Sequence, residues 1–294
     1  MDRKSFIKKG LLGTGMFVSN AVAGNAITSN TGKITPPETI GYNHLPNTIS
    51  LIMENTVLHK AETRGHANHG WLNSHHTFSF ANYHKPDRMH FGVLRVLNDD
   101  EVAAGMGFGM HPHSNMEIIS IPLEGDLEHK DSMGNTAVIK KGDIQVMSAG
   151  TGVQHSEYNR NKDRLTKFLQ IWVFPNKQNV TPRYGQITLN EAERHNKLQQ
   201  ILSPNPDDTG VWIHQDAWFY MGKFDKGATI EHRLKKEGNG IYAFVLEGDF
   251  TAGNISLNRR DGLGVWETKS ITLKADSQNA EILLMEVPMA LRQF

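Results

Sequence analysis

The chain has 294 residues, with 31 lysines and arginines, 31 aspartates and glutamates, and a formal net charge of zero. Because there is no excess of positive charge, a nucleic-acid partner is not expected. The absence of cysteine excludes disulfides, thiolate zinc sites, iron–sulfur clusters and cysteine nucleophiles, so any metal must be bound by imidazole and carboxylate groups.

The N-terminal segment has the pattern of an export signal. Basic residues at Arg3, Lys4 and positions 8–9 precede a mildly apolar stretch, residues 10–24, with a small-residue end at 21–23. This stretch is too short and glycine-rich for a membrane span. It is similar to a twin-arginine signal, although Lys4 stands where the second arginine is expected. We predict that residues 1–33 are signal peptide and linker and that the protein is exported, to a periplasmic location. The alternative is a cytoplasmic protein with an N-terminal tail.

Short apolar runs separated by turn signals follow along the chain. The runs are residues 91–97, 116–123, 137–139, 144–147 and 168–174, and Gly, Asp and Asn mark turns at 98–100, 124–126, 132–135, 141–143 and 149–152. This pattern indicates antiparallel strands and hairpins. The best helix candidate, residues 191–200, is short. We therefore predict an all-β fold of barrels or sandwiches with little helix.

An internal repeat indicates a duplicated domain. Residues 121–126 read Ile-Pro-Leu-Glu-Gly-Asp, and residues 244–249 read Phe-Val-Leu-Glu-Gly-Asp. Each copy is followed by a further turn with aspartate, at 141–143 and 259–261. The order of these matches favours two tandem β domains, 34–175 and 176–294, with the break in residues 175–183.

The two copies differ in their histidines. The positions equivalent to His111 and His113 in the second copy are Leu234 and Lys236, and His232 lies out of register. Eleven of the fifteen histidines lie between His59 and His155. We expect one functional site in the first domain and a second domain without metal ligands.

Two motifs carry the candidate site. His111 and His113 flank a proline, and Glu157 follows His155 by two residues. Residues i and i+2 of a strand point to the same face, so each pair converges if that face lines a barrel. Two facing strands would bring three imidazoles and one carboxylate together, a set that suits Fe(II) and also Mn, Ni, Cu or Zn. Each motif alone is common on surfaces and in cores, but the two together favour a metal site.

The spacing of these residues resembles the cupin motifs, and within cupins the chain is similar to pirin-like proteins. The first motif is formed by Gly105, His111, His113, Glu117 and Gly125, and the second by Gly142, Gly152, His155 and Asn159, with Gly150 in place of the expected proline. Both motifs are slightly longer than usual. The segments specific to pirin-like proteins are 64–71, 76–80, 108–113, 116–120, 127–132 and 147–157. The resemblance runs from about residue 55 to the end of the chain, and it is weaker in the second half.

The resemblance implies a bicupin, with two tandem β-barrel or jelly-roll domains and one divalent metal ion in the first barrel. The metal is usually iron, and Cu, Ni, Mn, Co and Zn are alternatives. In pirin-like proteins the carboxylate ligand belongs to the His-x-Glu motif. This selects His111, His113, His155 and Glu157 as ligands and leaves Glu117, the carboxylate of the general cupin motif, unassigned.

The same resemblance implies a function. Several bacterial pirin-like proteins resemble quercetin 2,3-dioxygenases, which open flavonol rings with O2 and release carbon monoxide. The expected partners are an aromatic small molecule and O2, with Glu157 accepting the hydroxyl proton of the substrate, and we expect a monomer. The alternative is a non-catalytic pirin-like module, in which the metal's redox state controls a surface that binds another protein.

Three further groups of residues receive structural interpretations. The histidines at 66, 69, 75 and 76 are irregularly spaced, and we expect hydrogen-bonded strand ends rather than a second metal site. Phe78, Phe80 and Phe108 could line a pocket for a flat aromatic substrate, although aromatic strand residues usually fill cores. Residues 131–135 are expected to form a hairpin turn.

Overall fold

The computed structural model describes residues 55–292, so the predicted signal peptide and its linker lie outside the described residues. This part of the chain contains 22 strands, which we number in chain order. They are β1 Thr56–His59, β2 Gly65–Asn68, β3 Leu72–His76, β4 Leu94–Val102, β5 Gly107–His113, β6 Glu117–Glu124, β7 Asp126–Asp131, β8 Thr136–Lys140, β9 Asp143–Ser148, β10 Val153–Asn159, β11 Thr166–Val173, β12 Arg183–Thr188, β13 Gln199–Ser203, β14 Val211–Trp212, β15 Trp218–Phe224, β16 Thr229–Arg233, β17 Asn239–Glu247, β18 Phe250–Ala252, β19 Ile255–Leu257, β20 Gly262–Val265, β21 Ser270–Ala275 and β22 Ala280–Pro288.

Helix is confined to three short 3-10 segments in residues 55–292. They are Ala61–Thr63, Pro86–Arg88 and Glu191–Arg194. The described part of the chain has no helix that is both long and apolar enough to cross a membrane. The predicted all-β fold is confirmed, and the turns expected at 124–126, 132–135 and 141–143 lie between consecutive strands.

Two local predictions are wrong. The helix expected over 191–200 ends at Arg194, because Asn196 adopts a left-handed conformation (φ 54°) and Gln199 already pairs with Met221 of β15. The turn expected at 98–100 is instead the middle of β4. Its backbone is paired on both sides, so that Asn98 faces Gln170 of β11 and His76 of β3. Pairing with two neighbouring strands outweighs the turn preference of these polar residues.

The strands form two barrels with the same topology. In the first, a seven-stranded sheet, β12-β9-β6-β11-β4-β3-β2, faces a four-stranded sheet, β5-β10-β7-β8. In the second, the orders are β1-β20-β17-β22-β15-β13-β14 and β16-β21-β18-β19. The four strands of the first small sheet correspond in order to the four strands of the second. In the large sheets, the six adjacent strands from β12 to β3 correspond in order to the six from β1 to β13. The duplication expected from the sequence repeat is therefore present in the fold.

The edge strands of the two large sheets cross over between the halves of the chain. β1 precedes the first barrel in sequence but pairs with β20 of the second, with Thr56 opposite Val265. β12 follows residue 175 but pairs with β9 of the first barrel, with Arg183 opposite Ser148. The division of the chain into domains 34–175 and 176–294 stays a prediction.

The apolar core has three parts. The largest lies between the two seven-stranded sheets and includes Ile119, Leu169, Phe219 and Phe244. A second fills the second barrel with aliphatic and aromatic side chains, among them Ile241 and Leu284. In the first barrel the apolar residues form two smaller clusters. Polar side chains lie between these two clusters, and the candidate site is among them.

Candidate metal centre

Strands β5 and β10 bring the three predicted histidines together. The two strands are antiparallel neighbours in the small sheet of the first barrel, with His155 opposite His111 and Val153 opposite His113. All three imidazoles point to the barrel interior and are buried, with 9%, 4% and 1% exposure for His111, His113 and His155. A glycine is required nearby, because a Cβ at Gly107 would overlap the backbone of Glu157 and Tyr158 on β10.

The geometry of the three imidazoles fits a metal ion. One nitrogen from each ring lies within 4.8 Å of one nitrogen of both others, and the ring centroids are 4.4–4.9 Å apart. His111 donates a hydrogen bond from Nδ1 to the carbonyl oxygen of Gly109 (2.7 Å), which leaves its Nε2 lone pair free. His113 Nε2 and both nitrogens of His155 are buried without a hydrogen-bond partner among the described residues.

Burial also keeps two of these imidazoles neutral, which metal binding requires. Burial, together with the neighbouring His111, lowers the pKa of His113 to about 3. Burial and the neighbouring histidines likewise hold the pKa of His155 well below its usual value. Buried, neutral and unpaired nitrogens that converge within 4.8 Å are the donor set of a divalent metal site.

Glu157 lies beside the three histidines in the same pocket. A β-bulge between His155 and Glu157 shifts the register, so that Glu157 faces Phe108. Its carboxylate accepts hydrogen bonds from Ser120 Oγ (3.0 Å) and from Gln170 Nε2 (3.0 and 2.8 Å to the two oxygens). Its oxygens are not part of the group of ligand atoms within 4.8 Å. Its role as fourth ligand stays a prediction.

Glu117 lies elsewhere. On β6 the inward residues are Ile118 and Ser120, so Glu117 points to the opposite face, toward the second barrel. There its carboxylate accepts a hydrogen bond from Ser148 Oγ (2.6 Å). Burial raises the pKa of Glu117 to about 7, although Ser148, Arg183 and the backbone of His214 oppose the shift. The described structure therefore separates Glu117 from the histidine cluster.

A further buried histidine, His129, lies next to His155. His129 of β7 is fully buried, its ring centroid is 5.4 Å from that of His155, and its Nε2 is 3.1 Å from Asp131 Oδ2. Asp131 is held in turn by the backbone N–H groups of Met133 and Asn135 and by the Asn135 side chain. The turn predicted over 131–135 thus also fixes the carboxylate that orients His129.

The histidines form one end of a small pocket that is partly open to solvent. Its enclosed volume is about 50 Å³. It combines apolar walls with buried polar groups, and its lining residues are Leu72, Ser74, Phe80, Asn98, Asp100, Phe108, His111, His113, His155, Glu157, Gln170 and Trp172. Trp172 packs edge-on against His113, with ring centroids 5.0 Å apart. A pocket of this kind can hold part of a flat aromatic molecule next to a metal.

The sequence interpretation missed the polar lining of this pocket. Asn98 and Asp100 were assigned to a turn, and Gln170 was included in an apolar run. The sequence signal that could have identified Asn98 and Asp100 is a period-two pattern in β4. In this pattern Val96, Asn98 and Asp100 alternate with residues that point to the other face.

The expected aromatic lining is partly correct. Phe80 and Phe108 contact the pocket, whereas Phe78 belongs to the core between the large sheets. Among the additional histidines, His66 stacks on His75 with centroids 4.6 Å apart, and His76 is buried in β3. In residues 55–292, His111, His113 and His155 are the group that meets the geometry of a metal site.

Comparison with protein families and curated relatives agrees with this architecture. The family model Pirin matches residues 57–173, and the model described as quercetinase C-terminal cupin domain matches residues 200–287. The chain is 43% identical over 231 residues to a protein named quercetin 2,3-dioxygenase from Escherichia coli K12, covering 79% of this chain and 98% of that protein. It is 38% identical over 223 residues to a pirin-like protein from Caulobacter vibrioides, covering 76% and 95%.

A solved structure gives the same result. The bacterial pirin YhhW from Escherichia coli, in complex with nickel(II), is similar with a TM-score of 0.75 and 42% sequence identity. The alignment covers 80% of this chain and all of that protein. The similarity therefore includes both barrels.

Proposed function

The chain belongs to the pirin family of the cupin superfamily, and from this membership we propose that it is a metal-dependent dioxygenase that opens the ring of quercetin-type flavonols with O2. The observation that carries the proposal is the convergence of three buried imidazoles, two of them with nitrogens that lack a hydrogen-bond partner in residues 55–292, at one end of a pocket with aromatic walls. The names of the relatives agree with this activity.

The proposed metal ligands are His111, His113, His155 and Glu157, with Fe(II) as the first candidate and Ni, Cu, Mn, Co or Zn as alternatives. When bound, the metal would act as a Lewis acid and template for the deprotonated hydroxyl group of the substrate. The nickel complex of the similar bacterial pirin supports a divalent metal in such a fold.

The protein's own groups would bind the substrate and accept a proton. Trp172, Phe80 and Phe108 would pack against a flat aromatic ring. Glu157, whose carboxylate is held by Ser120 and Gln170, would accept the proton of the substrate hydroxyl group. The hydrogen bonds from these two residues fix the orientation of the carboxylate, which general-base catalysis requires.

Turnover by the metal-loaded protein tests this proposal. The protein would be loaded anaerobically with each of Fe(II), Co, Ni, Cu and Mn, and quercetin loss, O2 consumption and carbon monoxide release would be measured. We expect turnover with at least one metal and a large loss of kcat in Glu157→Gln. Absence of turnover with every metal would refute the dioxygenase. If the metal nevertheless bound in full stoichiometry, the non-catalytic redox-sensing module would be favoured.

We also propose that the protein is exported and acts as a monomer. The support for export is the basic and apolar pattern of residues 2–24. Cell fractionation should recover the protein in the periplasm, and Arg3→Gln should retain it in the cytoplasm if the route is twin-arginine. Light scattering of the purified protein checks the monomer.

A further inference from the structure

A row of polar side chains crosses the interior of the first barrel. Six adjacent strands each contribute one residue, and each residue lies directly opposite the next. The row consists of His76, Asn98, Gln170, Ser120, Gln145 and Gln186, on β3, β4, β11, β6, β9 and β12. Because directly opposed residues of paired strands share a face, the row lines the same interior as the histidines.

The fold itself does not require this polarity. The neighbouring row in the same sheet is apolar and includes Val96, Trp172, Ile118 and Met147. In the second barrel the matching sheet carries Tyr220, Leu284, Ala243 and Leu263 as cross-strand neighbours, and these pack into an apolar core. Since the matching row of the second barrel is apolar, this fold can form without polar residues at these positions, and the polar row of the first barrel has another role.

Two residues of this row, Asn98 and Gln170, line the pocket, and so does Asp100, the next inward residue of β4 after Asn98. Asn98 and Asp100 line the pocket together with the three metal-binding histidines, and they are only 3% and 4% exposed. Asn98 Oδ1 is buried without a hydrogen-bond partner in residues 55–292. Asp100 accepts a hydrogen bond from Ser74 Oγ at one of its oxygens. A buried acceptor without a donor is unfavourable, so this corner favours a ligand that supplies one.

We propose that Asn98 and Asp100 bind a hydroxyl group of the aromatic substrate and so determine which aromatic compounds this pocket accepts. The inference rests on the proposed function and adds the substrate feature that is recognised. Two acceptor oxygens call for O–H donors, and the walls formed by Phe80, Phe108 and Trp172 call for a flat ring. A hydroxylated aromatic ring satisfies both requirements, whereas an unsubstituted ring would leave the buried acceptors unpaired.

The size of the pocket limits what this corner can hold. The whole pocket, including its histidine end, has a volume of about 50 Å³ and accommodates only a few groups of the size of water. The subsite therefore takes the hydroxylated edge of a ring, and the rest of the molecule extends toward the opening. Ordered water bound to Asn98 and Asp100 is the competing explanation for the same geometry.

Anaerobic binding to the metal-loaded protein tests the subsite without turnover. Two ligands are compared: quercetin, and 3-hydroxyflavone, which keeps only the hydroxyl group proposed to bind the metal. We expect the wild type to bind quercetin at least tenfold more tightly. Asn98→Leu should reduce this preference to within about twofold while metal stoichiometry is unchanged. The control is Asn73→Leu, since Asn73 lies on the outer face of β3 and bonds His66 and Glu101.

The possible outcomes separate the subsite from the proposed function. If the wild type prefers quercetin and neither Asn98→Leu nor Asp100→Asn changes that preference, the two side chains hold water only and the inference is overturned. A wild type that binds both ligands equally also overturns it, while leaving the flavonol proposal intact. If it binds neither ligand, the flavonol proposal fails and the subsite with it. Should Asn98→Leu fold poorly, the isosteric Asp100→Asn decides the question.

Discussion

Replacing Glu117 with glutamine should change how the stability of the protein depends on pH. Glu117 is 1% exposed, and it meets Ser148 of β9, Arg183 of β12 and the backbone N–H of His214. Burial raises its pKa from 4.5 to about 7 in the folded state, so the folded protein holds this proton more tightly than the unfolded chain does. The stability that this group contributes is therefore complete below pH 4.5 and is lost as the pH rises to about 7.

The size of the effect follows from these two pKa values. Between pH 5 and pH 8, ionisation of Glu117 should lower the free energy of unfolding by about 2–3 kcal/mol. Glutamine cannot ionise, so the free energy of unfolding of Glu117→Gln, measured relative to the wild type, should rise by this amount over the same range. All other titrating groups are common to both proteins and cancel in the difference.

Urea unfolding at several pH values measures this difference, with tryptophan fluorescence and circular dichroism recorded together to check that both barrels unfold in one transition. Glu124→Gln is the matched control at the other end of β6. The pKa of Glu124 is lowered by a hydrogen bond from Lys167, so the free energy of unfolding of Glu124→Gln, measured relative to the wild type, should not rise between pH 5 and pH 8. A difference between Glu117→Gln and the wild type that is flat within about 0.5 kcal/mol would refute a raised pKa at this position.

Three further changes test the metal centre and the contact between the barrels. His111→Ala should lose stoichiometric metal, measured by metal analysis after dialysis, whereas His66→Ala should keep it; full retention in His111→Ala would place the metal elsewhere. Gly107→Ala should lower both metal content and Tm because its methyl group overlaps β10, while Gly109→Ala, whose Cβ would meet only the Tyr158 hydroxyl at an ordinary contact distance of 3.7 Å, should leave both near wild type. Asp99→Ala removes the largely buried partner (12% side-chain exposure) of two arginines, one of them from the second barrel, and should cost about 3 kcal/mol in urea unfolding; a cost below about 1 kcal/mol would contradict a strong ion pair there.

Much of the fold follows from local sequence patterns. Apolar runs between Gly- and Asp-rich turns predicted β6, β8 and β9, because a strand with one face in a core needs only alternation and a turn at each end. The repeated Leu-Glu-Gly-Asp motif predicted two similar domains, and the structure shows the same strand order in both. The three histidines were predictable because spacing i, i+2 puts both residues of a pair on one face.

Other features depend on tertiary context that one sequence does not reveal. The crossing of β1 and β12 between the halves involves pairing partners far away in the chain, and no local pattern encodes it. Asn98 and Asp100 were assigned to a turn because their residue types favour turns, but β3 and β11 hold them in a central strand. The raised pKa of Glu117 likewise arises from burial against the second barrel.

The pairing of β1 with β20 has a consequence for how the chain is made. Thr56–His59 leaves the ribosome before the rest of either barrel, yet its partner, Gly262–Val265, is synthesised only after the whole first barrel. Until β20 is synthesised, β1 lacks its pairing partner in this sheet. A product that begins after His59 would instead leave the edge of β20 uncovered, and exposed strand edges promote association between copies. The four residues of β1 thus protect the edge of a sheet whose other strands all follow the first barrel in sequence.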